Sequence, residues 1–259
     1  MHATDFAEAR FLNVMNGVGI TAPSDFYIGL YLSSPTETGM AGNELNYTGY
    51  TRQIISFGTP TVESLAVWIR NVTALQWATP AADAGTVTHI GISDAVSGGN
   101  MWLHGQLTEP LAVKANQFPS LPIGEVGFYM TGNLSAAYKT KFLNVFRKTN
   151  VAGISCYLAM FNGSPDAGGV EISGDTYARP HVTWNSPTEQ VGGQMLISNT
   201  TLVSFPIPTT AWGSFDTDVV MDAAAMGSAV WIIPKTSAET IMRNNIYQFQ
   251  SGAARLAIN

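Results

Sequence analysis

The chain has 259 residues, 46% of them hydrophobic, and a net charge of −6. That is long for one small sandwich of about 100 residues and suits two. An acidic chain without a stripe of arginine and lysine holds no general attraction for phosphate backbones, so nucleic acid is excluded as a partner.

Only 12% of the residues are charged, against roughly 25% in ordinary soluble proteins. Interface cores show the same depletion, and the composition points to a surface partly buried in a permanent assembly. Cys156 is the single cysteine, which rules out an intramolecular disulfide; in its apolar run it reads as a small buried hydrophobe. No apolar stretch approaches the roughly 20 residues of a membrane helix, so no membrane insertion is expected. Residues Met1 to Asp5 lack the basic and apolar regions of a signal peptide, which predicts synthesis in a cytoplasm.

In chain order, the first expected element is a short helix. Asp5 and Glu8 form a capping-box pattern ahead of Phe11, Leu12 and Met15. The period then changes to that of strands at Phe26 to Leu32, at Ile55 to Thr59, and at Thr86 to Ser93, Met101 to Leu107 and Ile123 to Met130. Turns are expected at the Gly98-Gly99, Gly168-Gly169 and Gly192-Gly193 pairs. A second short helix, capped by Ser135, carries Tyr138, Phe142, Leu143, Val145 and Phe146, and a strand follows at Ile154 to Met160.

This succession repeats. Glu44, Tyr50 and Arg52 recur at identical offsets as Glu171, Tyr177 and Arg179, and Asp94-Ala95 recurs as Asp222-Ala223. Asn71 falls opposite Asn199, Asn116 opposite Asn244, and Phe11-Leu12-Asn13-Val14 opposite Phe142-Leu143-Asn144-Val145. Tyr31-Leu32 aligns with Tyr157-Leu158. The chain therefore reads as all-β, with two tandem homologous domains at 1–133 and 134–259 and no long linker. Each is a β-sandwich, jelly-roll-like, with a short N-terminal helix.

Residues of chemical interest are few. His2, His89, His104 and His181 do not fall at zinc spacing, and no nucleophile elbow, phosphate loop or dinucleotide fingerprint occurs. No catalytic, metal or cofactor-binding residue is assigned. Asp216 and Asp218, near Asp222, offer oxygens of the kind calcium takes but lack the loop spacing, and read as a solvated loop. The basic cluster Lys139, Lys141, Arg147 and Lys148 reads as the solvated face of a helix. Asn46, Asn71, Asn133, Asn162 and Asn199 begin Asn-x-Ser/Thr triplets, glycan acceptors only in a eukaryotic secretory pathway. The repeated Glu/Tyr/Arg set has the makings of a polar sugar site, but an ion pair kept by a shared fold is the stronger reading. Together with Asp94 and Asp222 these are the expected architectural positions.

The run Glu171-Ile172-Ser173-Gly174, Tyr177-Ala178-Arg179, Val182-Thr183-Trp184, then Trp212-Gly213 and Asp222-Ala223, resembles bacteriophage virion proteins often labelled tail fibre proteins. Copy one supplies Gly85 to Ala95 and Gly98-Gly99-Asn100-Met101-Trp102 of the same pattern. The resemblance implies a non-catalytic structural role in the virion, in the tail or its fibres, with other virion proteins and further copies of the chain as partners. A fused pair suits a trimer or ring facing a six-fold neighbour. A capsid decoration protein is the alternative reading. A third is a carbohydrate-binding module for host-surface glycan, using exposed aromatics such as Trp68, Trp102 or Trp231.

Overall fold

The computed structural model describes residues 1–64, 66–190 and 193–258. Two helices open the two repeats. Helix α1 spans Asp5–Val14 behind Thr4, whose Oγ1 accepts the Ala7 N–H at 3.5 Å. Helix α2 spans Ala136–Leu143 behind Ser135, whose Oγ accepts the Tyr138 N–H at 3.3 Å. The expected capping box of Asp5 and Glu8 does not form. Thr4 has the extended backbone a cap needs, and Glu8 turns inward to accept the Met195 N–H at 2.9 Å.

Each repeat builds one large and one small antiparallel sheet and a two-stranded ribbon, Leu75–Gln76 with Ser120–Leu121 in copy one and Val203–Ser204 with Gln248–Phe249 in copy two. In copy one the large sheet runs His2–Ala3, Met101–Val113, Gly85–Ser93, Phe26–Tyr31, Gln53–Ile55, and the small one Gly127–Met130, Ala66–Arg70, Thr61–Glu63. In copy two the large sheet runs Val170–Glu171, Cys156–Asn162, Gly213–Met221, Ala229–Ile241, with His181–Val182 also paired to Cys156–Asn162. Its small sheet is Thr188–Glu189, Met195–Ser198, Arg255–Ala257. Alternation decides which face is buried: Val67 and Ile69 point inward while Trp68 and Arg70 point out. The layers close on Phe26, Ile28, Leu30, Ile92, Leu103, Ile69 and Phe128 in copy one, all buried. The chain is thus mainly β, in two tandem sandwich repeats. Among the described residues no helix is long and apolar enough to cross a membrane.

Strand register corrects one alignment. Tyr27 pairs with Ser93, and Tyr157 pairs with Met221. Leu30 N–H and Met160 N–H donate to the hydroxyls of the equivalent tyrosines Tyr50 and Tyr177. Tyr157-Leu158 therefore corresponds to Tyr27-Ile28, not to Tyr31-Leu32. Two tyrosines stand four positions apart on one strand, and the shared Tyr-Leu dipeptide favours the wrong one.

The two repeats meet about a local two-fold axis. Phe11 and Phe142, counterparts in the duplication, stack with ring centroids 4.7 Å apart. Ile20 and Val151, at the same spacing in sequence, exchange both backbone hydrogen bonds at 2.7 and 2.9 Å. Contacts between a residue and its own counterpart are the mark of an isologous interface. Gly153 permits the close crossing there, since a Cβ on it would collide with the Gly17 carbonyl.

Each helix is anchored on its own repeat and reaches into the other. Thr4 N–H bonds Trp102 O at 3.0 Å and Ser135 N–H bonds Val230 O at 2.9 Å. Past α2, a 3-10 turn at Asn144–Arg147 carries Phe146 between the layers of copy one, 5.0 Å from Phe26, 6.0 Å from Trp102 and 5.8 Å from Phe128 between ring centroids. In return, Val14 O accepts the Ile154 N–H at 2.9 Å and Met15 O lies 3.6 Å from Cys156 Sγ. One continuous hydrophobic cluster spans both repeats.

Candidate functional site

The repeated polar residues form the same structure twice. In copy one, Arg52 Nε and Nη2 each donate at 2.8 Å to the two oxygens of Glu44, and Nη1 donates to Ala95 O at 3.1 Å and Gly98 O at 2.9 Å. The second Nη2 hydrogen faces Tyr31 Oη at 3.4 Å. In copy two, Arg179 donates to Glu171 at 2.7 and 2.5 Å, and to Ala223 O and Met226 O at 2.8 and 2.6 Å. Tyr50 and Tyr177 hydroxyls donate to the same glutamates at 3.2 and 2.8 Å. The guanidinium thus staples a turn to the large sheet through a planar fork that lysine does not have.

Asp94 and Asp222 complete that turn from inside. Asp94 Oδ1 accepts the Asn100 N–H at 2.7 Å and Oδ2 faces Trp102 Nε1 at 3.3 Å. Asp222 Oδ1 accepts the Ser228 N–H at 2.6 Å and Oδ2 accepts the Tyr138 hydroxyl at 2.8 Å. Gly99 and Gly227 both hold φ +73°, and a Cβ on either would meet that Asp Oδ1.

The chemistry available here is narrow. Arg52 uses all five of its N–H donors within the protein. Its pairing with Glu44 raises an already high pKa. Burial pushes Tyr31 up to about 12 and Tyr50 higher still. These groups hold one protonation state through the physiological range. A shallow cavity of about 450 Å³ opens beside Glu44, Tyr50, Arg52 and Gly98, but the guanidinium facing it has no N–H left to offer.

Other expected positions fall elsewhere. Asp216 and Asp218 are not in a solvated loop: both lie in the strand Gly213–Met221. Asp218, only 4% exposed, accepts Tyr247 Oη at 2.9 Å and Lys235 Nζ at 3.3 Å, and Asp216 caps the Gly163 N–H at 2.7 Å. Buried charge is tolerated there because it is paired, which polarity in the sequence alone does not reveal. Of the basic cluster Lys141, Arg147 and Lys148 are exposed, as a solvated face requires, and Lys139 alone departs from it. Lys148 pairs with Asp25 at 2.6 Å, Lys141 lies 3.9 Å over the Tyr138 ring, Arg147 holds Asn144 Oδ1 at 2.7 Å, and Lys139 is buried.

His89 Nδ1 lies 2.9 Å from Thr88 Oγ1, His104 Nε2 lies 3.3 Å from Glu37, and His181 packs edge-on against Tyr157. Among the described residues no three of His, Cys, Asp or Glu are placed to hold a metal. Cys156 is buried, and burial pushes its thiol up to about 12. Trp102 and Trp231 are core residues, which removes them as sugar platforms. Trp68 is half-buried, its ring 4.3 Å from that of Tyr129 with Arg70 at 4.7 Å. Gly98-Gly99 and Gly168 occupy tight turns with positive φ, while Gly192 lies outside the described residues.

One further pair was aligned in the sequence without its role being apparent. Asn71 Nδ2 donates to Thr73 O and Pro122 O at 2.8 and 2.9 Å, and its Oδ1 accepts the Val126 N–H at 2.9 Å. Asn199 repeats this with Thr201 O, Gln250 O and the Ala254 N–H at 2.8, 2.9 and 2.9 Å. Both are buried cross-braces rather than glycan acceptors. The signal was their recurrence as Asn-x-Thr at matched positions.

Repeated staples and braces, each satisfied by its own repeat, define a duplicated β-sandwich protein whose shared polar residues hold architecture. The family model for Podophage GP4 fiber I protein gp80 matches residues 2–128 and again residues 133–257. The chain belongs to that family of phage fibre proteins and carries two copies of its domain in tandem. No curated protein matches it.

Proposed function

We propose that the chain is a non-catalytic structural subunit of the tail or tail-fibre region of the virion, with domains at 1–133 and 134–259. It is assembled in the host cytoplasm as a symmetric homo-oligomer, a trimer or ring, against other virion proteins. The observation that carries this reading is the duplicated staple, whose donors are spent on backbone and glutamate in both copies. Fibre-family membership and a surface with few charges support it. So do Phe118 and Ile246, counterparts exposed at 55% and 63%, which give each copy an apolar tip of the same kind. Cryo-electron microscopy of the particle, with light scattering of the purified chain, tests it. Density in the tail region and a three-fold or ring-sized mass are expected; a lattice over the capsid would instead make it a decoration protein.

A second reading, host-glycan binding, is favoured by one observation. The Trp68, Tyr129 and Arg70 stack belongs to copy one alone, where copy two has Leu196, Ala257 and Ser198 on the paired strands. Trp68→Ala reducing adsorption to host cells without loss of folding is the result that reading requires.

A further inference from the structure

Each helix crosses the other copy's small sheet, and the two related crossings have diverged at one position. Glu8 of α1 is the counterpart of Lys139 of α2. Glu8 is 3% exposed and is satisfied across the junction by the Met195 N–H at 2.9 Å. Lys139 is 6% exposed and lines a cleft of about 760 Å³, whose walls include Val62, Val67, Leu134, Ile232 and Pro234.

Among the described residues, Lys139 Nζ makes no hydrogen bond, and no carboxylate lies within ion-pair distance. Asp166 borders the cleft, its Oδ2 accepting the Ala136 N–H at 2.8 Å, and acts on Lys139 from beyond ion-pair contact. A buried ammonium with no carboxylate in contact is costly, and a carboxylate set directly on it offsets part of that cost. Burial lowers the Lys139 pKa from the usual lysine value, and the nearby Asp166 opposes it in part. The rim is also apolar, with Val62 67% exposed. A complementary occupant carries one negative charge among aliphatic groups.

We propose that this cleft docks a neighbouring protein subunit of the particle, which inserts an acidic side chain flanked by aliphatic residues and sets its carboxylate on Lys139. The choice of a protein occupant rests on the structural-subunit reading above.

Reductive methylation with formaldehyde, quantified by mass spectrometry, tests this on the purified full chain and on intact particles. Lys139 is expected to be modified in the free chain and protected about tenfold in the particle, while exposed Lys114 is modified in both. Equal modification of Lys139 in the two samples overturns the proposal, as does a Lys139 that is inert in the free chain. Protection of the free chain by octanoate, without protection in the particle, also overturns it, in favour of a small-molecule site. The variant Lys139→Met is expected to fold with an equal or higher Tm and to enter particles about tenfold less; incorporation at the normal level would count against docking. If the chain is missing from particles altogether, the structural-subunit reading is what fails.

Discussion

Phe11 and Phe142 face each other at 4.7 Å across the local two-fold, each the other's counterpart. The centre of the molecule is therefore neither repeat's own core but a joint between them, and Phe146 extends that joint into the copy-one sandwich. The two repeats are expected to unfold together. Phe146→Ala should cost about 3–5 kcal/mol, the usual loss for a buried phenylalanine, and leave one transition in urea. Two separated transitions, with copy two unchanged, would show that the repeats are independent.

Arg52→Ala frees Glu44 and releases the turn at 94–100 together. With side-chain exposures of 10% and 28% the pair is only partly buried, so a loss of about 1–3 kcal/mol is expected. Arg52→Lys should recover little, because a single ammonium does not span two carboxylate oxygens and two carbonyls. Hydrogen exchange at the Asn100 amide, which bonds Asp94 at 2.7 Å, should speed up in both variants while Ser228 in copy two stays protected.

The Glu8 carboxyl is raised to about 8 by burial, helped by Glu37 and Asp5 and opposed by the Met195 N–H. A folded-state pKa above the unfolded value means the native chain holds a proton that the unfolded chain gives up. Its contribution is full below about pH 4.5 and is lost as pH rises through about 8. Glu8→Gln keeps an acceptor for Met195 and removes the titration. Its stability relative to the natural chain should climb between pH 5 and 8 in parallel urea titrations; a constant difference would mean Glu8 is already ionised in the fold.

Buried Asp218 and half-buried Lys235 and Tyr247 form a polar network in copy two where copy one has Ile90, Leu107 and Pro119. Lys235→Met leaves the Asp218 carboxylate only the Tyr247 hydroxyl and should cost about 1–3 kcal/mol. Replacing the trio together, by Asp218→Ile, Lys235→Leu and Tyr247→Phe, should recover most of that, since apolar residues fill the same place in the first repeat. A triple variant less stable than Lys235→Met alone would assign the network a role beyond packing.

The duplication was readable because staple and brace residues are tied to fixed backbone positions. Glu44, Tyr50, Arg52 and Asp94 reappear at matching offsets since a turn held by one arginine tolerates little change in spacing. Strand periodicity marked Phe26 to Leu32 and Thr86 to Ser93 of the large sheet, but not Ala66–Arg70, whose alternation of Val67 and Ile69 with Trp68 and Arg70 is too short to stand out from its flanks. The joint was not readable: nothing in Phe146 distinguishes a ring packed on its own sandwich from one lent to a neighbour. The burial of Asp218 and Lys139 was equally hidden, because a charged residue announces polarity and only its surroundings decide whether water reaches it.

The loan of Phe146 also bears on biosynthesis. Synthesis runs from the N-terminal side, and the strands of the first sandwich are all made once Met130 has been added. The ring that closes the gap between those layers emerges later, on the far side of α2. A ribosome carrying the first repeat thus holds an open sandwich until the start of the second has cleared the exit tunnel. The interval leaves apolar sheet faces uncovered, and shortening it by keeping the connection at 131–135 brief is an advantage that a longer, looser linker would forfeit.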